Sequence, residues 1–249
     1  MTELGTTVAG VRLPFPAMNA PGTWPSARDL RELAASPSGA LVLRTVTSHP
    51  FVHPQFRTLH NPGFDKLIPL VREVVAAGDK PVVASIAGGT IDEMVLLAKA
   101  FAEAGAALVQ MELAEPWVTA TLAPFEHEQT LAELVGRVAA ACSVPVATRL
   151  PFRPALPYRI IGAALRAAGG RIVVLENEFL ALEKFQIEAG EGLEVIATGG
   201  IRSGYDVTRA LGKGASAVQV GVECVAEGAN VFARLEREMR LGRGERPVD

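Results

Sequence analysis

Short apolar runs alternate with segments of helical periodicity along the whole chain. The runs are rich in Val, Ile, Leu and Ala and are mostly continuous, which is typical of parallel strands that are buried on both faces. The runs predict eight strands, at residues 16–20, 40–47, 81–88, 107–114, 144–151, 171–178, 193–200 and 216–223.

The segments between these strands carry helix signals. The clearest is TIDEMVLLAKAFAEAG, in which Thr90 and Glu93 have the spacing of a capping box and Gly105 marks the end of the helix. Eight strand–helix units in 249 residues match the size and count of a TIM (β/α)8 barrel. We therefore predict an α/β fold with a single barrel domain over residues 1–249. An open doubly wound sheet is the competing fold, but it seldom carries so many regular units.

Two segments depart from this regular pattern. Residues 48–61, SHPFVHPQFRTLHN, are too long for a simple turn, and long loops after barrel strands lie on the catalytic face. This segment is therefore expected to cover a ligand. The tail at residues 241–249, LGRGERPVD, is expected to be loose.

Composition limits the classes of partner. Hydrophobic residues make up 49% of the chain and charged residues 20%, so the chain can build a full core. The net charge is −3 without a clustered basic stripe, which argues against nucleic acid, and no apolar run is long enough to span a membrane. Because the N-terminus lacks a signal-peptide pattern, we expect a cytoplasmic protein. Since nucleic acid and membrane are disfavoured, we expect a small-molecule substrate. A homodimer is one possible oligomeric state that the composition does not test.

Cysteine and glycine patterns exclude some chemistries. Cys142 and Cys224 are far apart and form no C-x-x-C pair, so neither a disulfide framework nor a metal site is predicted. The glycine-rich turns lack the strand–G-x-G-x-x-G–helix pattern of nicotinamide cofactor sites.

Two glycine turns follow the last two predicted strands. Gly199 and Gly200 end the seventh strand, Val220 and Gly221 end the eighth, and Ser203 is placed to cap the next helix. In barrels these adjacent strand ends bind phosphate, because bare backbone amides and a helix N-terminus attract an anion. Ordinary glycine turns are the alternative.

Several segments together resemble the class 1 dihydroorotate dehydrogenases, the soluble FMN-dependent barrels of pyrimidine biosynthesis. The matching segments occur in the family's order and are MNAPGTW at 18–24, LRTVT at 43–47, LHNPGFDK at 59–66, and residues 81–113 and 199–221. The resemblance implies FMN as the cofactor and hydride transfer between a small substrate and flavin N5.

The resemblance also implies positions for the cofactor. The phosphate would lie on the two glycine turns, and the flavin ring would meet the turn after the first strand. Two family lysines correspond to Arg44 and Arg149. Both arginines would keep a positive charge beside the flavin, on a guanidinium group that is larger than the lysine ammonium and forked. Ion pairing at the rim is the alternative for both arginines. The expected cofactor contacts are Asn19, Ala20, Gly22, Arg44, Thr45, Arg149, Glu176, Asn177, Gly199, Gly200, Ser203, Val220 and Gly221.

The expected substrate site departs from the family pattern. Where the family has an Asn-x-Ser-Cys-Pro-Asn loop with a Cys or Ser base, this chain has ELAEPW at 112–117. Glu115 then stands at the position of the base, and Glu112 and Trp117 replace two orotate-binding asparagines. A further family asparagine falls at Glu176. The expected catalytic residues are Glu115, Arg44 and Arg149. The expected substrate-binding residues are Gln55, Asn61 and Glu112.

These departures change the charge that a substrate would meet. Each approach of two like charges at about 4 Å costs on the order of a few kcal/mol at an effective dielectric constant near 20, so three glutamates would repel the orotate anion. Arg44 and Arg149 would neutralise two of them. We therefore predict little or no turnover of dihydroorotate.

The identity of the proton-abstracting group stays open at this stage. Glu115 follows apolar Ala114 and precedes Trp117, an environment that would suit a carboxylate base of raised pKa. A solvated or ion-paired loop residue is the alternative for Glu115. The loop histidines His49, His53 and His60 are weaker candidates.

The sequence therefore predicts an FMN-dependent oxidoreductase that has an altered substrate or weak dihydroorotate activity. The alternative is a non-catalytic flavin- or phosphate-binding barrel, including a subunit that stabilises a partner. A flavin-free isomerase or synthase that acts on a phosphorylated substrate is the third hypothesis.

Overall fold

The computed structural model describes residues 4–24, 27–52, 62–78, 80–176 and 181–244. The strands are β1 Thr6–Val8, β2 Val11–Leu13, β3 Ala17–Asn19, β4 Leu41–Val42, β5 Val82–Ile86, β6 Leu108–Glu112, β7 Val146–Arg149, β8 Ile172–Glu176, β9 Glu194–Thr198 and β10 Ala217–Val220. The helices are α1 Ala27–Ala35, α2 Phe64–Ala77, α3 Ile91–Glu103, α4 Pro116–Leu122, α5 Glu128–Ala141, α6 Tyr158–Ala167, α7 Ala181–Ala189, α8 Gly204–Gly212, α9 Val222–Glu227 and α10 Asn230–Gly242. None of these helices is long and apolar enough to cross a membrane.

The strands β3 to β10 form one parallel sheet in the order β3-β10-β9-β8-β7-β6-β5-β4, with helices between them along the chain. The predicted TIM barrel is confirmed, and all eight predicted strands are present in shorter form. The strand predicted at residues 40–47 is shortened most, because only Leu41–Val42 pairs as a strand. Val46 adds a single bridge to Ile86. The capping box of Thr90 and Glu93 at the start of α3 is also confirmed.

Alternation along the strands divides the core into two layers. In β7, Val146 packs with helix residues in the outer layer, whereas Ala147 belongs to an inner cluster made of strand residues and residues 8–13. The inner cluster includes Met18, Val42 and Ile196. The barrel axis is therefore filled by side chains in its lower part.

The structure contains a hairpin that the sequence pattern did not predict. β1 and β2 pair in antiparallel fashion through a two-residue turn in which Ala9 and Gly10 both have positive φ. Val8 and Leu13 of the hairpin pack on the inner cluster. The Ala9 amide donates to Glu194 at 2.7 Å, so the hairpin covers the N-terminal end of the barrel. A three-residue strand is too short to show a periodic signal.

The two ends of the sheet order, β3 and β4, are joined chiefly by a side chain. The Asn19 amide nitrogen donates to the Val42 carbonyl at 2.8 Å, and the Val42 N–H donates to the Asn19 carbonyl oxygen at 2.9 Å. Trp24 Nε1 donates to the same Val42 carbonyl at 2.8 Å, and the Gly39 N–H donates to the Ala17 carbonyl at 2.8 Å. Asn19 is fully buried, so these bonds form away from water and close the barrel.

Replacing Asn19 by Asp tests this closure. The carboxylate keeps the shape of the amide but cannot donate to Val42 or to its second carbonyl acceptor, Ala20, so we expect a loss of about 2–4 kcal/mol in the free energy of unfolding. Urea denaturation measures it. The matched control is Asn230→Asp at an exposed position, which should cost less than about 0.5 kcal/mol. Equal losses in the two variants would contradict the assigned role.

Candidate active site at the barrel mouth

Polar side chains line the barrel axis at the carboxyl ends of the strands. Val83 and Ala147 belong to the inner apolar cluster, and residues two positions further along a strand face the same way. Ser85 and Arg149 therefore face the axis above them. The same alternation gives a set that we call the mouth residues: Arg44, Ser85, Glu112, Arg149, Glu176, Thr198 and Gln219.

Glu112 at the end of β6 is the buried acid of this set. Only 2% of its surface is exposed, and both carboxylate oxygens accept hydrogen bonds. Oε1 accepts from Gln110 Nε2 and, at a long 3.4 Å, from Ser85 Oγ, while Oε2 accepts from Arg149 Nη1 at 3.2 Å. These hydrogen bonds fix the orientation of the carboxylate.

Neighbouring polar groups orient the donors to Glu112. Gln219 Nε2 donates to Gln110 Oε1 at 2.6 Å, which turns the Gln110 amide nitrogen toward Glu112. Thr45 and Ser85 hydroxyls lie 3.0 Å apart on the other side. The result is a continuous polar network across the barrel, from β4 to β10.

Arg149 at the end of β7 connects this network to the rim. Nη1 contacts Glu112, and Nη2 lies 3.8 Å from Glu176 Oε1 at the end of β8. Glu112 and Glu176 thus share one guanidinium, as in the ion-pairing alternative for Arg149. Arg149 Nε is buried and has no hydrogen-bond partner among the described residues. This donor remains available to a ligand.

Arg44 brings a second positive charge to the mouth. Its guanidinium carbon lies 5.7 Å from the centre of the Trp24 ring, and the residue is half-buried. Burial lowers the pKa of Arg44 from its ordinary value, but a guanidinium stays charged in proteins.

The turn after β3 lies at the barrel mouth and also takes part in joining β3 to β4. Both polar atoms of the Asn19 side chain are engaged in the β3–β4 junction, with further bonds from its amide nitrogen to Ala20 and Thr23. The Ala20 N–H donates to the Val220 carbonyl at 2.9 Å. Gly22 has φ +79° and open space around it. The cofactor contacts predicted for this turn stay predictions.

The two glycine turns are neighbours in the structure. β9 and β10 pair with Thr198 opposite Gln219, so Gly199 and Gly221 follow at the same edge of the sheet. Gly199 and Gly200 have φ of +81° and +66°, and a Cβ on Gly199 would meet no atom within 4 Å. The backbone is therefore bare at this edge, as an anion site requires.

The amides at the start of α8 are already used by the protein. The side chains of Ser203 and Asp206 form a capping box, and the Asp206 carboxylate also accepts from the Arg202 N–H at 3.1 Å. The Gly204 N–H donates to Glu238 at 2.7 Å. Ser203 thus caps α8 as predicted. An anion would have to use the glycine turns rather than this helix terminus, which differs from the expected contribution of the helix.

The remaining predicted residues are spread over the mouth and beyond the described ranges. Glu115 is the N-cap residue of α4, is half-buried, and does not cap the helix with its side chain. Its catalytic role stays a prediction. The predicted residues that lie outside the described ranges are Gln55, Asn61, Asn177, His53 and His60.

Sequence reasoning missed three members of the buried network: Ser85, Gln110 and Gln219. All three are fully buried. Each interrupts an apolar strand pattern, in VVASI, LVQME and AVQV respectively. A polar residue at an inward position near a strand end was the available signal.

Comparisons with known proteins agree with this architecture. A family model described as dihydroorotate dehydrogenase matches residues 178–241. A protein of Aeropyrum pernix, assigned as dihydroorotate dehydrogenase A (fumarate), is 26% identical over 96% of this chain and 92% of its own length. The catalytic subunit of dihydroorotate dehydrogenase B (NAD(+)) of Thermoplasma acidophilum is 25% identical over 96% of this chain and 93% of its own length.

A solved structure supports the fold. The ligand-free dihydroorotate dehydrogenase of Eimeria tenella superposes with a TM-score of 0.83 at 15% identity, over 98% of this chain and 89% of that one. Together with the sequence matches, which include class 1A and class 1B relatives, this likeness makes the chain similar to dihydroorotate dehydrogenases along nearly its whole length, at about 25% identity.

Proposed function

We propose that this protein is an FMN-dependent oxidoreductase whose substrate differs from dihydroorotate. The similarity to dihydroorotate dehydrogenases over 96% of the chain supports the flavin chemistry. The observation that carries the altered substrate is the pairing of Arg149 with two glutamates at the mouth, 3.2 Å from Glu112 and 3.8 Å from Glu176.

The residues present suit FMN. Gly199, Gly200 and Gly221 offer bare backbone to a phosphate at adjacent strand ends. Arg149 has a buried, unused Nε donor at the mouth, and Arg44 supplies a second guanidinium. When bound, FMN supplies the group that accepts or donates a hydride. The two guanidiniums would stabilise negative charge on the bound flavin.

The charge balance disfavours a carboxylate substrate. Arg149 already serves two acids, and Glu112 is 2% exposed and fixed in place, so the charge cannot move away. A substrate carboxylate at about 4 Å from Glu112 would meet a repulsion of about 4 kcal/mol at an effective dielectric constant of 20, before any compensation. A neutral small substrate fits this mouth better.

Glu115 is proposed as the proton-abstracting group. It directly follows the turn after β6, at the carboxyl end of the barrel, and is half-buried. A carboxylate at the carboxyl end of the barrel is a suitable type of group for general-base catalysis. If flavin bound here is never reduced by substrates or physiological donors, the non-catalytic flavin-binding alternative holds instead.

The first test is the visible spectrum of the purified protein, before and after addition of FMN, followed by anaerobic dihydroorotate. We expect a flavin spectrum and little or no bleaching by dihydroorotate, whereas dithionite should bleach the flavin completely and so serve as the control. Rapid stoichiometric bleaching by dihydroorotate would contradict the proposal that the substrate differs from dihydroorotate. A colourless protein that takes up no FMN would favour the flavin-free isomerase or synthase.

The second test is Glu112→Gln. The variant keeps an acceptor for Ser85 and Gln110 but removes the charge that occupies Arg149. Orotate should then bind about tenfold more tightly to the FMN-loaded protein, equivalent to about 1.4 kcal/mol. Titration of the flavin absorbance with orotate measures the affinity.

The matched control for this test is Glu191→Gln, an exposed position just before β9 at the opposite end of the barrel. It should leave orotate affinity unchanged. If Glu112→Gln folds, binds FMN and shows no gain over this control, the acid at the end of β6 does not determine substrate charge.

A further inference from the structure

Arg234 on α10 contacts the chain segments that follow both glycine turns. Its guanidinium donates two hydrogen bonds to Glu227 on α9, from Nε to Oε2 at 2.9 Å and from Nη2 to Oε1. Nη1 lies 3.0 Å from Glu238 Oε1 and also donates to the Arg202 carbonyl at 3.0 Å. A further carboxylate, Glu223, lies 4.0 Å from Nη2.

The chain order makes these contacts significant. Arg202 comes two residues after Gly200, so the bond to its carbonyl reaches the turn after β9. Glu227 lies at the end of α9, which begins directly after Gly221. One side chain therefore connects the two backbone segments between which the phosphate of FMN is proposed to lie.

Glu238 strengthens the connection to the first turn. Its Oε2 accepts from the Gly204 N–H at 2.7 Å while its Oε1 pairs with Arg234. Arg234 thus acts on the turn after β9 twice, directly at Arg202 and indirectly through Glu238. The glycine turns lack side chains that would anchor them, so this external support limits their conformational freedom.

The same contacts control the local charge. Glu223, Glu227 and Glu238 all lie on α9 or α10, near the edge where an anion is proposed to bind. Hydrogen bonding to Glu227 raises the pKa of Arg234, and the same bond lowers the pKa of Glu227. Both groups are therefore charged at neutral pH, and the guanidinium offsets carboxylates that would otherwise repel a phosphate.

We propose that Arg234 is a positioning residue for a phosphate monoester bound at the two glycine turns. It does not contact the ligand itself. It holds the turn after β9 and helix α9 in register and offsets part of the negative charge of the acids behind them. The inference rests on the proposed function, because it takes the phosphate of FMN as the ligand.

The test compares FMN with riboflavin, which has the same ring and no phosphate. Arg234→Gln should weaken FMN binding about tenfold and leave riboflavin affinity within about twofold, since about 1.4 kcal/mol corresponds to a factor of ten. Arg234→Lys keeps the charge but loses the fork, so its FMN affinity should fall between those of the wild type and Arg234→Gln. Flavin fluorescence titration gives both affinities.

The matched control is Arg240→Gln, on the same helix, where the arginine pairs with Glu236 one turn away. It should not change the ratio of FMN to riboflavin affinity. Equal weakening of FMN and riboflavin by Arg234→Gln, or no weakening, overturns the positioning role. If Arg234→Gln fails to fold, Arg234→Lys decides by the same ratio.

Failure of this inference can be told apart from failure of the proposed function. A wild-type protein that binds no flavin overturns both. A wild-type protein that binds FMN more tightly than riboflavin, with a ratio unchanged in the folded Arg234 variants, overturns the role of Arg234 alone.

Discussion

The amide side chain of Asn19 holds the two ends of the parallel sheet together, and the geometry of the whole barrel depends on that junction. A sheet edge presents unpaired backbone groups, and a barrel removes them only if its first and last strands meet. Here one carboxamide gives a hydrogen bond to Val42 and takes one back, at 2.8 and 2.9 Å. Closure brings all eight carboxyl ends to one mouth.

The order of the strands determines the electrostatics of that mouth. β6, β7 and β8 are neighbours, so Arg149 stands between the acids Glu112 and Glu176. The guanidinium is therefore already paired with acids of the protein before any ligand arrives. A buried ion pair of this kind contributes little net stability, because desolvation offsets the attraction, but it fixes which charges a substrate meets. Similarity to dihydroorotate dehydrogenases therefore does not decide which substrate this chain accepts.

The proposed anion site depends on a second set of contacts, outside the barrel axis. The glycine turns after β9 and β10 are bare, and their shape is set by α8, α9 and α10 behind them. Asp206 and Glu238 occupy the amides at the start of α8, while Arg234 offsets Glu238 and reaches the turn itself. The mouth and the phosphate edge are thus supported independently, one by strand neighbours and the other by the C-terminal helices.

The sequence by itself determined the number, order and type of the eight barrel strands and the α3 capping box, because these follow from periodicity and from residues close in the chain. Only the tertiary structure decided that Asn19 closes the barrel, that Arg149 bridges two acids and that Gln219 orients Gln110, which is 109 residues away in sequence. The three-residue strands of the hairpin were likewise visible only in the tertiary structure. Partners so distant in the chain leave no local periodic signal, since they meet only after strand pairing and closure have set their positions.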